Sequence, residues 1–189
     1  MPRADHYNLR VAEKRVGTIS AWTDLAFGLA TLRPKPHPGT TFPDYQAGQY
    51  IALSREGCRL TARVKDRDGL VHYEPVLNED GTPKLGPVTH SYSIASAPFE
   101  TRQGGELEIY VTLEKSATGR LGRFTESLFK ASPHVGDTLG YVERIVGNFT
   151  LHDRAPGAEH VVMVGTGTGL APFVGMMKQA AHQARAGHV

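Results

Sequence analysis

Apolar and β-prone residues early in the chain fall in short stretches separated by polar breaks. Residues 16–22 and 25–32 read as two strands divided by Thr23-Asp24, and Tyr50, Ile51, Ala52 and Leu53 open a third after Gly48. The segment 33–39 carries three prolines, each lacking an amide donor, which predicts a loop. Residues 66–87, rich in Asp, Gly, Pro and Asn, predict a surface excursion around a short strand at 70–73. A strand follows at 88–96 and breaks at Pro98. Leu107, Ile109, Val111 and Leu113 then alternate with polar neighbours over 106–114, the period of a half-buried strand. Leu121, Phe124, Leu128 and Phe129 share one stripe of a helix predicted at 121–130, and another strand is predicted at 138–146. Closely spaced strands with a single helix predict an antiparallel barrel or sandwich.

The texture changes near residue 156. Val161, Val162, Met163 and Val164 form a continuous apolar run, as expected of a parallel strand buried on both faces. The pentapeptide GTGTG follows at 165–169, then a helical stretch over 171–186. Its apolar side is expected to include Phe173, Val174, Met177, Ala180 and Ala181, with Pro172 in the first turn. Strand, glycine loop and helix open a doubly wound nucleotide-binding domain. One strand does not make a parallel sheet, so the second domain is expected to be a stub. The expected domains are 8–155 and 156–189.

Composition narrows the class. At 40% hydrophobic and 21% charged, the chain is too apolar and too evenly charged to be disordered. A net charge of +2 without a Lys/Arg block gives no nucleic-acid footprint. No apolar run reaches the roughly 20 residues of a membrane-spanning helix. The opening MPRADHYNLR lacks the apolar stretch of a secretory signal, so the expected location is cytoplasmic. Cys58 is the only cysteine, which leaves this chain no intrachain disulfide, Cys-rich zinc site or iron–sulfur cluster of its own. The histidines are scattered without helical i, i+4 pairs, so no metal site is expected.

Three segments carry candidate chemistry. Gly165, Thr166, Gly167, Thr168 and Gly169 would let a diphosphate approach the backbone at a helix N-terminus, although the loop lacks both the P-loop ending and the third glycine of the strict dinucleotide pattern. Read alone, it is also a tight strand-to-helix turn. In His90-Ser-Tyr-Ser-Ile-Ala-Ser96, Tyr92 flanked by hydroxyls could stack on a flat ring. Alone, an aromatic in a strand is usually core or cross-strand packing. Gly122, Arg123, Phe124 and Thr125 open a short helix whose amides, hydroxyl and guanidinium could hold phosphate, or form an ordinary cap with a solvated arginine.

Taken in order, HSYSIASAPFE, EIYVTLEK, GRFTESL, VGNFTL and VMVGTGTGLAPF resemble the ferredoxin–NADP reductase family and its flavin reductase relatives, over about Tyr45 to Lys178. The resemblance implies a six-stranded Greek-key barrel that binds FAD, followed by the first strand and helix of an α/β domain that binds NADP(H). It implies that Tyr92 stacks on the isoalloxazine and that Ser93 sits near its reactive nitrogen, these two being the catalytic candidates, with Ser91 between. Tyr110, Val111 and Thr112 match the strand on the adenylate side. Gly122, Arg123, Phe124 and Thr125 match the diphosphate segment. Residues Gly165 to Gly169 match the loop where nicotinamide and flavin meet. The family's motif arginine is replaced by His90, a weaker diphosphate partner, with Arg123 or Arg120 as candidates for the missing charge. The implied function is hydride transfer from NAD(P)H to FAD and electron transfer to ferredoxin or flavodoxin. Because only the start of the NADP domain is recognisable, the sequence leaves three alternatives: a piece of a longer reductase, a chain completed by a partner chain, or a non-catalytic flavin-binding or electron-transfer subunit.

Overall fold

The computed structural model describes residues 13–116 and 119–187. Eight strands form: β1 (Lys14–Ala26), β2 (Leu29–Pro36), β3 (Tyr50–Arg59), β4 (Thr61–Lys65), β5 (Val71–Pro75), β6 (Leu85–Ser93), β7 (Ile109–Thr112) and β8 (Thr138–Val146). Four helices accompany them: α1 (Pro98–Gly104), α2 (Arg123–Phe129), α3 (Leu151–Arg154) and α4 (Ala171–Arg185). Six strands form one antiparallel sheet in the order β6-β3-β8-β1-β2-β7. A bridge between Ile94 and Ile109, with the Ala95 amide donating to the Glu108 carbonyl at 2.8 Å, draws the two edge strands together and nearly closes a barrel. Closure removes the exposed edges that an open sheet would present. Ile19, Leu32, Ile51, Leu53, Val111 and Leu139 point inward from successive strands, while Phe124 and Leu128 of α2 plug the core.

Ion pairs hold α2 in place. Arg55 of β3 donates to Ser127 Oγ at 2.9 Å and to Asp137 at 2.6 Å, and Arg59 pairs with Glu126. Helix α4 packs beside the end of β6 through Ala171, Pro172, Gly175 and Met176. At Gly175 a Cβ would stand 3.1 Å from the Ser96 carbonyl oxygen and 3.3 Å from that of Ile94, so the missing side chain lets the helix lie directly on the strand backbone. Lys178 adds a tie, its Nζ 3.3 Å from both Glu100 and Glu108.

Several expectations need correction. The break expected at Thr23-Asp24 lies inside β1, paired with Thr31 and Ala30, and the hairpin turns instead at Phe27-Gly28. The proline segment is strand as far as Pro36. Pro34 accepts from the Leu107 amide at 3.1 Å, so its nitrogen faces the β7 side beyond Leu32, where β7 no longer pairs and no ladder donor is required. Pro98 starts a helix rather than only ending a strand: the Glu100 carboxylate caps the Ala97 amide at 2.8 Å. The excursion is a separate β4–β5 hairpin, of which β4 was not expected. Residues 161–164 form no strand. No neighbouring strand pairs with them among the described residues, and Val162 and Val164 are 89% and 82% exposed. The packed face of α4 is centred on Gly175 and Met176, and Met177 is turned outward. Residues 8–12 of the expected first domain lie outside the described residues.

Candidate functional site

The candidate residues converge where β6 meets β7. Tyr92 pairs with Ile51 across β3 and β6 and rests on Phe124 of α2, with ring centroids 5.4 Å apart. His90, two residues earlier and on the same side, stacks on the other part of the Phe124 ring at 5.7 Å and 15°. Ser91 and Ser93 alternate to the outer side of β6, as Tyr110 and Thr112 do on β7. These outer residues, with Tyr92, line a cavity of about 300 Å³. Thr168, Gly169 and Ala171 close it from the glycine loop, which coils into a 3-10 turn over Gly167–Leu170. Glu114 completes the lining.

The chemistry of this lining is unfinished in one place. The Tyr92 hydroxyl is buried and has no hydrogen-bond partner. Burial, reinforced by the nearby Glu114 carboxylate, pushes this phenol well above the ordinary tyrosine value, so it stays protonated and is an unused donor. Buried polar groups are normally satisfied, so this enclosed phenol is an exception among the residues at the site.

The start of α2 lies alongside. The Gly122 amide donates to the Glu114 carbonyl at 2.9 Å, and the Glu114 amide donates to Thr125 Oγ1 at 3.2 Å. The first intrahelical bond runs from the Glu126 amide to the Gly122 carbonyl, leaving the amides of Arg123, Phe124 and Thr125 ahead of it. A Cβ at Gly122 would stand 2.6 Å from Glu114 Oε2 and 2.9 Å from Thr125 Oγ1, so glycine here lets the Glu114 side chain lie against the start of α2. Among the described residues the Arg123 guanidinium has neither a hydrogen bond nor an ion pair, whereas Arg120 is engaged with the Tyr73 carbonyl of the hairpin at 3.0 Å.

The structure therefore brings Ser91, Tyr92, Ser93, Tyr110, Thr112, Thr168 and Gly169 into one cavity, with His90 and the 122–125 segment joined to it through Phe124 and Glu114. Three predicted contacts are different in kind. Val111 and Phe124 are fully buried in the core and support the site from beneath, and the side chain of Thr125 is likewise enclosed. Gly165, Thr166 and Gly167 stand outside the lining, with Thr166 exposed. Glu114 and Ala171 were not expected. Glu114 was legible, because Tyr110, Thr112 and Glu114 continue one alternation. Among the described residues no helix is long and apolar enough to cross a membrane.

No family model and no curated protein matches the sequence. Solved structures do match. A ferredoxin NADP+ reductase from Neisseria gonorrhoeae with bound FAD and NADP is 22% identical, with TM-score 0.59, over 92% of this chain and 54% of that one. The flavohem-like FAD/NAD binding domain of nitric oxide dioxygenase from Vibrio cholerae O1 biovar El Tor is 20% identical, with TM-score 0.55, over 92% and 59%. The cytochrome b5 reductase domain of Ulva prolifera nitrate reductase is 20% identical, with TM-score 0.53, over 88% and 56%. The chain thus shares the fold of ferredoxin NADP+ reductase and these related reductase domains, and spans little more than half the length of each.

Proposed function

We propose that this chain is the flavin-holding part of an FAD-dependent NAD(P)H oxidoreductase. The observation that carries the reading is the single cavity uniting the HSYS strand, the Tyr110–Thr112 strand and the GTGTG loop. Its size suits a flat ring system, and a glycine corner with free helix-start amides adjoins it. The residues present fit FAD. Tyr92 supplies a ring face, and Ser93 a hydroxyl for the reactive nitrogen. Ser91, Tyr110 and Thr112 flank the ring. The amides of Arg123, Phe124 and Thr125, with the Arg123 charge and His90, receive the diphosphate. Bound FAD would accept a hydride and release electrons singly, while the protein supplies position and electrostatics.

The glycine loop, with Thr168 and Gly169 beside Ser93, is the side from which a nicotinamide would approach. Hydride transfer needs donor and acceptor held at about 3–3.5 Å, a constraint that calls for more α/β structure than one helix. We assign that remainder to the rest of a longer reductase or to a partner chain, with NADP(H) as donor and ferredoxin or flavodoxin as acceptor. The exposure of Val162 and Val164, where a parallel sheet would continue, fits that assignment. A second reading is a flavin-binding electron-transfer subunit without its own nicotinamide site.

The test is direct. Protein incubated with FAD and freed of excess should be yellow, and Tyr92→Ala should lose the colour. Bleaching by NADPH without oxygen supports the reductase; bleaching by dithionite alone supports the electron-transfer subunit. A colourless wild-type protein refutes both.

A further inference from the structure

Among the described residues, Glu114 is the only charged one lining the cavity. Its backbone is fixed from both sides, by the Gly122 amide on its carbonyl and by Thr125 Oγ1 on its amide. Its carboxylate folds over Gly122, with Oε2 only 2.6 Å from where a Cβ there would stand. No hydrogen bond or ion pair occupies that carboxylate among the described residues, although Arg123 begins the adjacent helix. Glu114 is exposed, so water screens part of its charge, but no counter-ion among the described residues cancels the rest, and it still acts on what enters the cavity it lines. It already acts on Tyr92, whose phenol it helps to hold protonated.

We propose that Glu114 makes the bound flavin more strongly reducing by opposing the negative charge that reduction places in this cavity. The inference rests on the flavin reading above. Two electrons and one proton convert the neutral oxidised ring into a reduced ring carrying one negative charge. A fixed carboxylate in the same cavity raises the free energy of that anion and lowers the midpoint potential. The same charge faces the corner assigned to the diphosphate, so it also weakens FAD relative to riboflavin, which has no phosphate.

The experiment uses the full chain reconstituted with FAD, titrated with dithionite against a redox dye, as wild type, Glu114→Gln, Glu114→Ala and Glu114→Asp. The two neutral variants should have a more positive midpoint potential than wild type, and Glu114→Asp, which keeps the charge, should stay near it. The FAD dissociation constant should fall about two- to fivefold in the neutral variants, with riboflavin binding little changed. A potential unmoved in both neutral variants, in protein that holds flavin, overturns this inference and leaves the flavin reading standing. A wild type that holds no flavin overturns both.

Discussion

Tyr92 lies against Phe124 with ring centroids 5.4 Å apart and planes tilted by 41°, and its hydroxyl is buried without a partner. This contact joins β6 to α2, the two elements on which the proposed cofactor would rest. Because the hydroxyl makes no bond, Tyr92→Phe should leave stability unchanged or slightly higher. Tyr45 is the contrasting case, with its hydroxyl 3.0 Å from the Ser96 carbonyl and 2.8 Å from Thr101 Oγ1. Tyr45→Phe strands those partners and should cost about 1–3 kcal/mol. Urea unfolding of the two variants side by side checks the difference.

Arg123 has a free guanidinium beside the amides that open α2, and His90 packs on Phe124 of the same helix. Arg123→Ala should weaken FAD on the order of tenfold, the worth of one charge-assisted hydrogen bond. Its melting temperature should hardly change, since no partner is lost. His90→Arg should tighten FAD, because a guanidinium carries a permanent charge and two-pronged donors to the same corner. Flavin fluorescence titration measures both, and riboflavin serves as the phosphate-free control. A loss of riboflavin binding equal to that of FAD would show that Arg123 does not act on the diphosphate.

The barrel was largely legible because its strands alternate cleanly. The strand expected at 138–146 is β8 with the same bounds, and Ile109 and Val111 point inward as their period demands. Local polarity misled at Thr23-Asp24, where pairing with Thr31 and Ala30 carries the strand through a polar dipeptide. Prolines misled at 33–36, because loss of a donor matters only on a paired side. The run 161–164 has the composition of a buried strand but no neighbour to bury it, a property that composition does not contain. At the site, motif order pointed to segments that the fold brings together. Their meeting depends on Phe124 crossing beneath His90 and Tyr92, a long-range contact that periodicity does not encode.

Acid should loosen the junction between the barrel and α4. Burial by itself would raise the Glu108 carboxyl, but the Arg33 hydrogen bond and the Lys178 charge outweigh it and hold the group below its ordinary 4.5. Glu126 behaves alike, with desolvation overcome by Lys130 and Arg59. A carboxyl depressed in the folded state contributes stability that is complete above its unfolded value and is lost as pH falls through the lower folded one. Urea midpoints should therefore be flat above about pH 5 and fall below about pH 4. Glu108→Gln should be less stable at pH 7 and show a shallower acid decline. An unchanged acid profile in this variant would mean that Glu108 contributes nothing to the linkage.

The exposed valines give a prediction of opposite sign to ordinary apolar substitution. Val162 and Val164 are 89% and 82% exposed, so Val162→Asp with Val164→Asp removes almost no buried contact. Stability should stay within about 0.5 kcal/mol per site. Met176, 3% exposed where α4 meets the barrel, should instead cost about 2–5 kcal/mol as Met176→Ala. An apolar run open to solvent favours association, so the double aspartate variant should scatter less light than wild type at equal concentration. If the aspartates unfold the protein, residues 161–164 are buried in solution, and the strand expected from their composition forms after all.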